Sequence, residues 1–94
     1  MGASESFQKA LYLLDRGDVV RGELLLRDVV RSTEPCGGAL YYQACCCLGE
    51  LLAELGRGAE AITLLERVAA LEAEDLFDDT LSHEIQRARR LLAR

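Results

Sequence analysis

The chain has 94 residues, half of them hydrophobic, and its 16 acidic and 11 basic residues give a net charge of −5. This length predicts one small domain, residues 1–94, with a single modest core, and the acidic balance argues against nucleic acid, which is bound through clustered Lys and Arg. The sequence contains neither an apolar run approaching the ~18 residues of a membrane span nor the features of a secretory signal, so we expect a cytoplasmic protein without a membrane partner.

Apolar residues recur at spacings of three and four along the whole chain, which predicts amphipathic helices. The first helix is predicted over about 4–16 and ends at Gly17, the residue type that most often follows a helix C-terminus. Asp18 is then the predicted N-cap of a second helix that extends to about Arg31. A break over 32–38 follows, because Pro35 and two glycines disfavour continuation.

A third helix is predicted over about 39–55, and we expect it to be the most buried element because it is apolar around most of its circumference. Gly56 ends it, and a fourth helix follows over about 59–73. The core side of this fourth helix is predicted to carry Ile62, Leu65, Val68, Ala69 and Leu71. Residues 74–79 then form an acidic turn that Leu76 and Phe77 anchor to the core, before a fifth helix that begins near Thr80.

The fifth predicted helix reverses the charge of the chain, since it holds Arg87, Arg89, Arg90 and Arg94 against the single acid Glu84. Cations near a helix C-terminus are stabilised by the helix macrodipole, which is one explanation of this cluster. A basic docking patch is the other.

Three consecutive cysteines, Cys45–Cys47, point in three directions on a helix and therefore share neither a metal ion nor a disulfide. His83 is the only histidine and no CxxC occurs, so we expect no metal site and no cofactor. Cysteine packs as a small apolar residue, and packing is the expected role of these three. A redox role is the alternative.

No phosphate-binding loop, GxSxG or HExxH motif is present. Glu50 and Glu54 lie one helical turn apart, which is the spacing of a carboxylate pair but also of an ordinary solvated helix face. Cys46 and His83 would act as nucleophile and base only if folding joined them. We therefore expect a protein that is not an enzyme.

The third and fourth predicted helices carry a distinctive order of small and bulky residues. The residues concerned are Cys45, Leu48, Gly49, Leu52, Gly56, Ala61 and Leu65. This order resembles the tetratricopeptide repeat. The resemblance covers about 42–75 and is one of size, since Cys45 and Leu52 replace large aromatic residues and Ala73 replaces the final proline.

A weaker copy lies upstream, with Ala10 and Gly22 at the two small positions. Both recur 39 residues later, at Gly49 and Ala61, whereas the family's period is 34, so about five residues are inserted within 33–40. Lys9 departs from the pattern, and Pro35 falls one residue late. The resemblance implies repeat one over about 3–36, repeat two over about 42–75 and a capping helix over about 80–93. It implies an all-α fold of five antiparallel helices, a right-handed helix-turn-helix stack, and the alternative is a generic helical bundle.

Family members mostly bind a peptide or partner helix on the concave face made by the first helix of each repeat. Carried over by position, that face holds Phe7, Leu11, Leu14, Asp15, Gln43, Cys46, Glu50, Ala53 and Glu54. The resemblance thus implies an apolar, acid-edged surface for a helical protein or peptide partner with Lys or Arg. The domain would be an adaptor, assembly factor or small chaperone.

Three alternatives stay open for this surface. Phe7, Leu11 and Leu14 would be ordinary core residues in one of them. A second copy of the chain would cover the face in another, giving a homodimer. The third is a chaperone of a secretion-system subunit, since small proteins of this family serve in type III secretion. The basic clamp of the co-chaperone subclass is not expected, because Gln43, Glu50 and Glu54 have the wrong chemistry.

Overall fold

The computed structural model describes residues 2–71 and 81–93, and within these two ranges the chain is helical without a β-strand. The five helices are α1 (Ala3–Asp15), α2 (Val19–Thr33), α3 (Ala39–Glu54), α4 (Gly58–Ala69) and α5 (Ser82–Leu92). The all-α prediction is confirmed. None of these helices is both long and apolar enough to cross a bilayer.

The helices pack as two consecutive antiparallel pairs followed by one further helix. α1 packs against α2 and α3 against α4, α2 joins the two pairs through α3, and α5 packs on α4 and α3. Short connections favour this arrangement because they leave successive helices no alternative to lying side by side. The result is a helical stack closed at one end by α5.

Two helix ends differ from the predictions. α2 extends to Thr33, and the hydroxyls of Ser32 and Thr33 in its last turn donate to the Val29 carbonyl at 3.2 and 2.6 Å. α4 ends at Ala69, four residues before the predicted end at 73. The predicted acidic turn over 74–79, with its two apolar anchors, and the predicted start of the fifth helix lie outside the described residues.

The turn between α1 and α2 is closed by a glycine in the left-handed region. Gly17 has φ 84°, which glycine adopts without the steric cost that a Cβ would bring. The Asp18 amide donates to the Leu13 carbonyl at 2.8 Å, and the Gly17 amide to the Leu14 carbonyl at 3.0 Å. These two bonds form a Schellman motif, which satisfies carbonyls at the end of α1.

The turn between α3 and α4 repeats this geometry 39 residues downstream. Gly56 has φ 80°. The Arg57 amide donates to the Leu52 carbonyl at 2.9 Å, and the Gly56 amide to the Ala53 carbonyl at 3.2 Å. The two helix pairs therefore share one turn design at the spacing at which their small residues recur.

The core is centred on α3, which contributes more buried residues than any other helix. Its fully buried Leu52 packs in one cluster with Leu26 of α2 and Val68 of α4. Ile62 departs from the prediction, because it is 51% exposed and Leu64 is buried in its place. Two residues correspond to about 200° around a helix, so α4 cannot turn both side chains to the core.

Four charged side chains connect the two pairs on the outside of α2 and α4. Arg27 pairs with Glu23 at 2.8 Å and with Glu60 at 3.0 Å. Arg57 pairs with Glu23 at 2.9 Å and with Glu60 at 2.8 Å. The hydrogen bond from Arg27 is the main cause that lowers the pKa of Glu23, and Arg57 adds to it. We call these four residues the ion-pair ring.

The ion-pair ring makes one contribution to stability pH-dependent. A carboxylate whose folded-state pKa is lowered stabilises the fold above its ordinary pKa, 4.5 for Glu23, and loses this effect as the pH falls through the folded value. Glu23→Gln is therefore expected to lower Tm by about 3 °C at pH 7. Thermal melts between pH 7 and pH 3 measure the change. The Tm values of the wild-type and Glu23→Gln chains should converge in acid, whereas a Tm difference that does not change with pH would show that Glu23 acts by packing.

Candidate functional site

The second helix pair crosses where Gly49 of α3 faces Ala61 of α4. A Cβ placed on Gly49 would lie 2.8 Å from Leu65 Cγ, 2.9 Å from Leu65 Cδ2 and 3.5 Å from the Ala61 carbonyl oxygen. Contacts under 3.0 Å are not tolerated without movement. The absence of a side chain at Gly49 is therefore what lets α3 and α4 approach each other.

The first helix pair also crosses at one glycine and one alanine, but here the glycine is on the second helix and the alanine on the first. A Cβ on Gly22 of α2 would lie 2.6 Å from Leu14 Cδ2 and 3.5 Å from the carbonyl oxygen of Ala10 on α1. Glycine thus stands on the second helix of this pair and on the first helix of the next, with alanine opposite in both. Both pairs are held close at equivalent positions.

A cleft of about 320 Å³ lies where α1, α3 and α5 come together. Leu11 and Leu14 of α1 form one wall, with Val19 from the start of α2, while Cys47 and Leu51 of α3 line the other side. Three charged residues complete the lining: Glu50, Glu54 and Arg87. We call this cleft the α1–α3 groove.

The groove contains four of the nine residues that the sequence assigned to the partner face: Leu11, Leu14, Glu50 and Glu54. Ala53 lines a neighbouring cleft with Leu91 of α5. Phe7 packs partly buried against the core, Asp15 is exposed and Gln43 is half-buried, and none of these three lines the groove.

Cys46 is the member of the predicted face that the structure contradicts. It is fully buried, and its Sγ–H donates to the backbone carbonyl of Glu84 on α5 at 3.6 Å. The sequence pattern assigned Cys46 to the concave face that the resemblance implies for the first helix of a repeat. It contains no information on where α5 docks, and α5 covers this position.

The apolar wall divides between core and surface. Leu14 packs onto Gly22 and belongs to the core, as one of the open alternatives had it. Leu11, one turn earlier, is 39% exposed in the groove. Leu11 is therefore the residue of this wall that a partner can reach without disturbing the fold.

Arg87 changes the charge of the groove edge. It pairs with Glu50 at 3.6 Å, so the predicted acidic border is partly neutralised. The sequence showed that α5 is basic but gave no indication that one of its cations reaches α3. Another, Arg89, donates to the carbonyl of Ala69, the last residue of α4, and to that of Leu71, so this cation is engaged within the fold.

The cysteines of α3 are poor nucleophiles in this environment. Burial raises the pKa of the Cys46 thiol to about 12 and that of Cys47 to about 11, and it also raises the pKa of Cys45. Reactive thiols require the opposite shift, which favours packing over the redox alternative. Among residues 2–71 and 81–93, no group of three or more His, Cys, Asp or Glu side chains is placed to hold a metal ion.

A larger cleft, of about 450 Å³, lies between α2 and α4, with Leu48 of α3 in its lining. Its charged residues Arg27 and Glu60 are engaged in the ion-pair ring. The α1–α3 groove is the better candidate because it contains an exposed apolar side chain, Leu11, and an acid, Glu54, that is in none of the ion pairs of the described residues.

No protein-family model, no curated protein and no solved structure matches this chain.

Proposed function

We propose that this chain is a non-enzymatic protein–protein interaction module, a cytoplasmic adaptor, assembly factor or small chaperone of tetratricopeptide-repeat type. The observation that carries this proposal is the α1–α3 groove, in which the exposed side chain of Leu11 stands beside acidic residues of α3. The recurrence of one turn design and one small-residue crossing after 39 residues supports the repeat assignment.

The residues that line the groove indicate which side chains a partner would carry. An amphipathic helix or peptide would place apolar side chains against Leu11 and a Lys or Arg against Glu54. Among the described residues, Glu54 takes part in none of the ion pairs, while Glu50 already pairs with Arg87. Glu54 is therefore the acid that a partner's cation meets without competition.

The test of this proposal is Leu11→Asp, with Val20→Asp as the matched control. Val20 is 71% exposed and lies outside the groove, so both variants add one carboxylate to the surface of the same helix pair. Burying an unpaired carboxylate in the interface is expected to weaken partner binding roughly 30-fold or more. The proteins that each chain retains from native lysate, quantified by mass spectrometry, give the comparison.

The expected result is a partner that the Val20→Asp chain retains and the Leu11→Asp chain loses, with both chains equally helical by circular dichroism. Loss of helicity in Leu11→Asp would place Leu11 in the core and remove the groove from consideration. Equal retention by the two variants would show that partners bind elsewhere.

Self-association through the same groove is the competing proposal, and it uses the same two variants. A homodimer would give twice the monomer mass in light scattering, and Leu11→Asp but not Val20→Asp would return it to the monomer. A wild-type chain that is monomeric at high concentration excludes the homodimer.

A further inference from the structure

Cys46 of α3 is hydrogen-bonded to α5. The equivalent position 39 residues earlier, in the first helix pair, is Phe7, which remains partly exposed. Cys46 is fully buried, and Glu84 of α5 supplies the carbonyl that accepts its Sγ–H at 3.6 Å. The crossing of α3 and α4 at Gly49 and Ala61 involves no residue of α5.

α5 is attached by contacts of its own. Leu81 and Ala88 are fully buried, and Arg89 donates to the carbonyls of Ala69 and Leu71 at the end of α4. The helices on which α5 mainly packs are α4 and α3. The crossing contacts and turns of the two helix pairs and the ion-pair ring involve no residue of α5.

One atom opposes the docking of α5. Oε2 of Glu84 is buried, and no hydrogen-bond partner for it exists among the described residues. A buried carboxylate oxygen without a partner disfavours the state that buries it, because water would solvate it in the open state. The ion pair beside it, from Arg87 to Glu50, is long at 3.6 Å and lies between half-exposed side chains that salt screens.

We propose that α5 is a cap that opens: the whole helix detaches from α3 and α4, while the two helix pairs stay folded. Opening exposes Cys46 and withdraws Arg87 from Glu50, so the edge of the α1–α3 groove becomes more acidic. This consequence for the groove rests on the proposed function, whereas the opening itself does not. A partner rich in Lys or Arg would bind the open form more tightly and hold α5 away.

The adjacent cysteines provide the measurement in the wild-type chain. Cys45 and Cys46 are both fully buried, but the Cys45 thiol lies beside Tyr41 and Arg67 of the second pair, whereas Cys46 bonds to Glu84 of α5. A thiol reagent is added to the native protein, and tandem mass spectrometry assigns the label to each cysteine over time and at low urea concentrations.

Cys46 is expected to react at least ~10-fold faster than Cys45, since local opening needs less free energy than global unfolding. Its rate should depend weakly on urea, because opening exposes little surface. Equal rates with equal urea dependence for the two thiols would show that α5 opens only with the whole domain, and would overturn the proposal.

Glu84→Gln tests the cause of opening, with Glu66→Gln as a control that removes the same charge from an exposed position of α4. Glu84→Gln should slow the labelling of Cys46 by about tenfold and leave Cys45 unchanged. Glu66→Gln should change neither rate. Labelling of Cys46 that is unchanged or faster in Glu84→Gln would show that the carboxylate does not oppose docking.

Discussion

Replacing Gly49 with alanine is expected to lower the free energy of unfolding by about 1–3 kcal/mol. Alanine is the better helix former, so helix propensity alone would predict the opposite sign. The Cβ would, however, lie 2.8 Å from Leu65 Cγ, a branch point that cannot swing aside as the end of a flexible side chain would. Urea denaturation followed by circular dichroism measures the change.

Gly58→Ala is the matched control, because Gly58 is also helical but a Cβ there would meet nothing within 4 Å. It is expected to stabilise the chain by less than roughly 0.5–1 kcal/mol, the value for a glycine in the middle of a helix, because Gly58 is the first residue of α4. Leu65→Ala supplies a second check, since in its background the Gly49→Ala penalty should largely disappear. A stabilising Gly49→Ala would show that the helix crossing is not limited by close contact.

Replacing Leu26 with alanine is expected to cost roughly 3 kcal/mol, because Leu26 is fully buried where α2 meets the rest of the core. A domain of this size has a total stability of about 5–14 kcal/mol. The substitution therefore removes a large part of the total and is expected to shift the urea midpoint strongly without changing helicity in the absence of urea.

Leu24→Ala provides the comparison within the same helix. Leu24 lies two residues away and is 61% exposed, so the same truncation is expected to change stability by no more than about 0.5 kcal/mol. Similar losses for the two variants would mean that the exposed face of α2 is covered in solution, which would point to self-association. Light scattering on the Leu24→Ala chain would then show whether a dimer has been lost.

Local features of the fold were predictable because their causes are local. Gly17 and Gly56 end helices since only glycine takes a positive φ without strain, and Asp18 caps α2 by accepting from the Arg21 amide at 3.3 Å. The small residues at the helix crossings were also identifiable, through the resemblance to the tetratricopeptide repeat, which places small residues where paired helices cross.

The candidate site was predictable only in part. Leu11 and Glu54, which the resemblance assigned to the partner face, line one groove in the structure. The burial of Cys46 and the ion pair of Arg87 were not predictable, because the contact between α3 and α5 joins parts of the chain about 40 residues apart. Helical periodicity assigns a residue to a face but does not tell which other helix covers that face.

The sequence by itself therefore determined that this protein is all-helical, where its helices turn, and that two pairs cross closely at Gly49 and Ala61 and at the equivalent Ala10 and Gly22. These outcomes depend on the backbone conformations and the side-chain volume of each residue, which are properties of the residue type. Only the tertiary structure decided that α5 covers Cys46, that Arg87 neutralises part of the groove and that Leu11 stays accessible. Burial and charge pairing depend on where the neighbouring helix α5 packs. The residues of α1 and α3 do not by themselves specify that position.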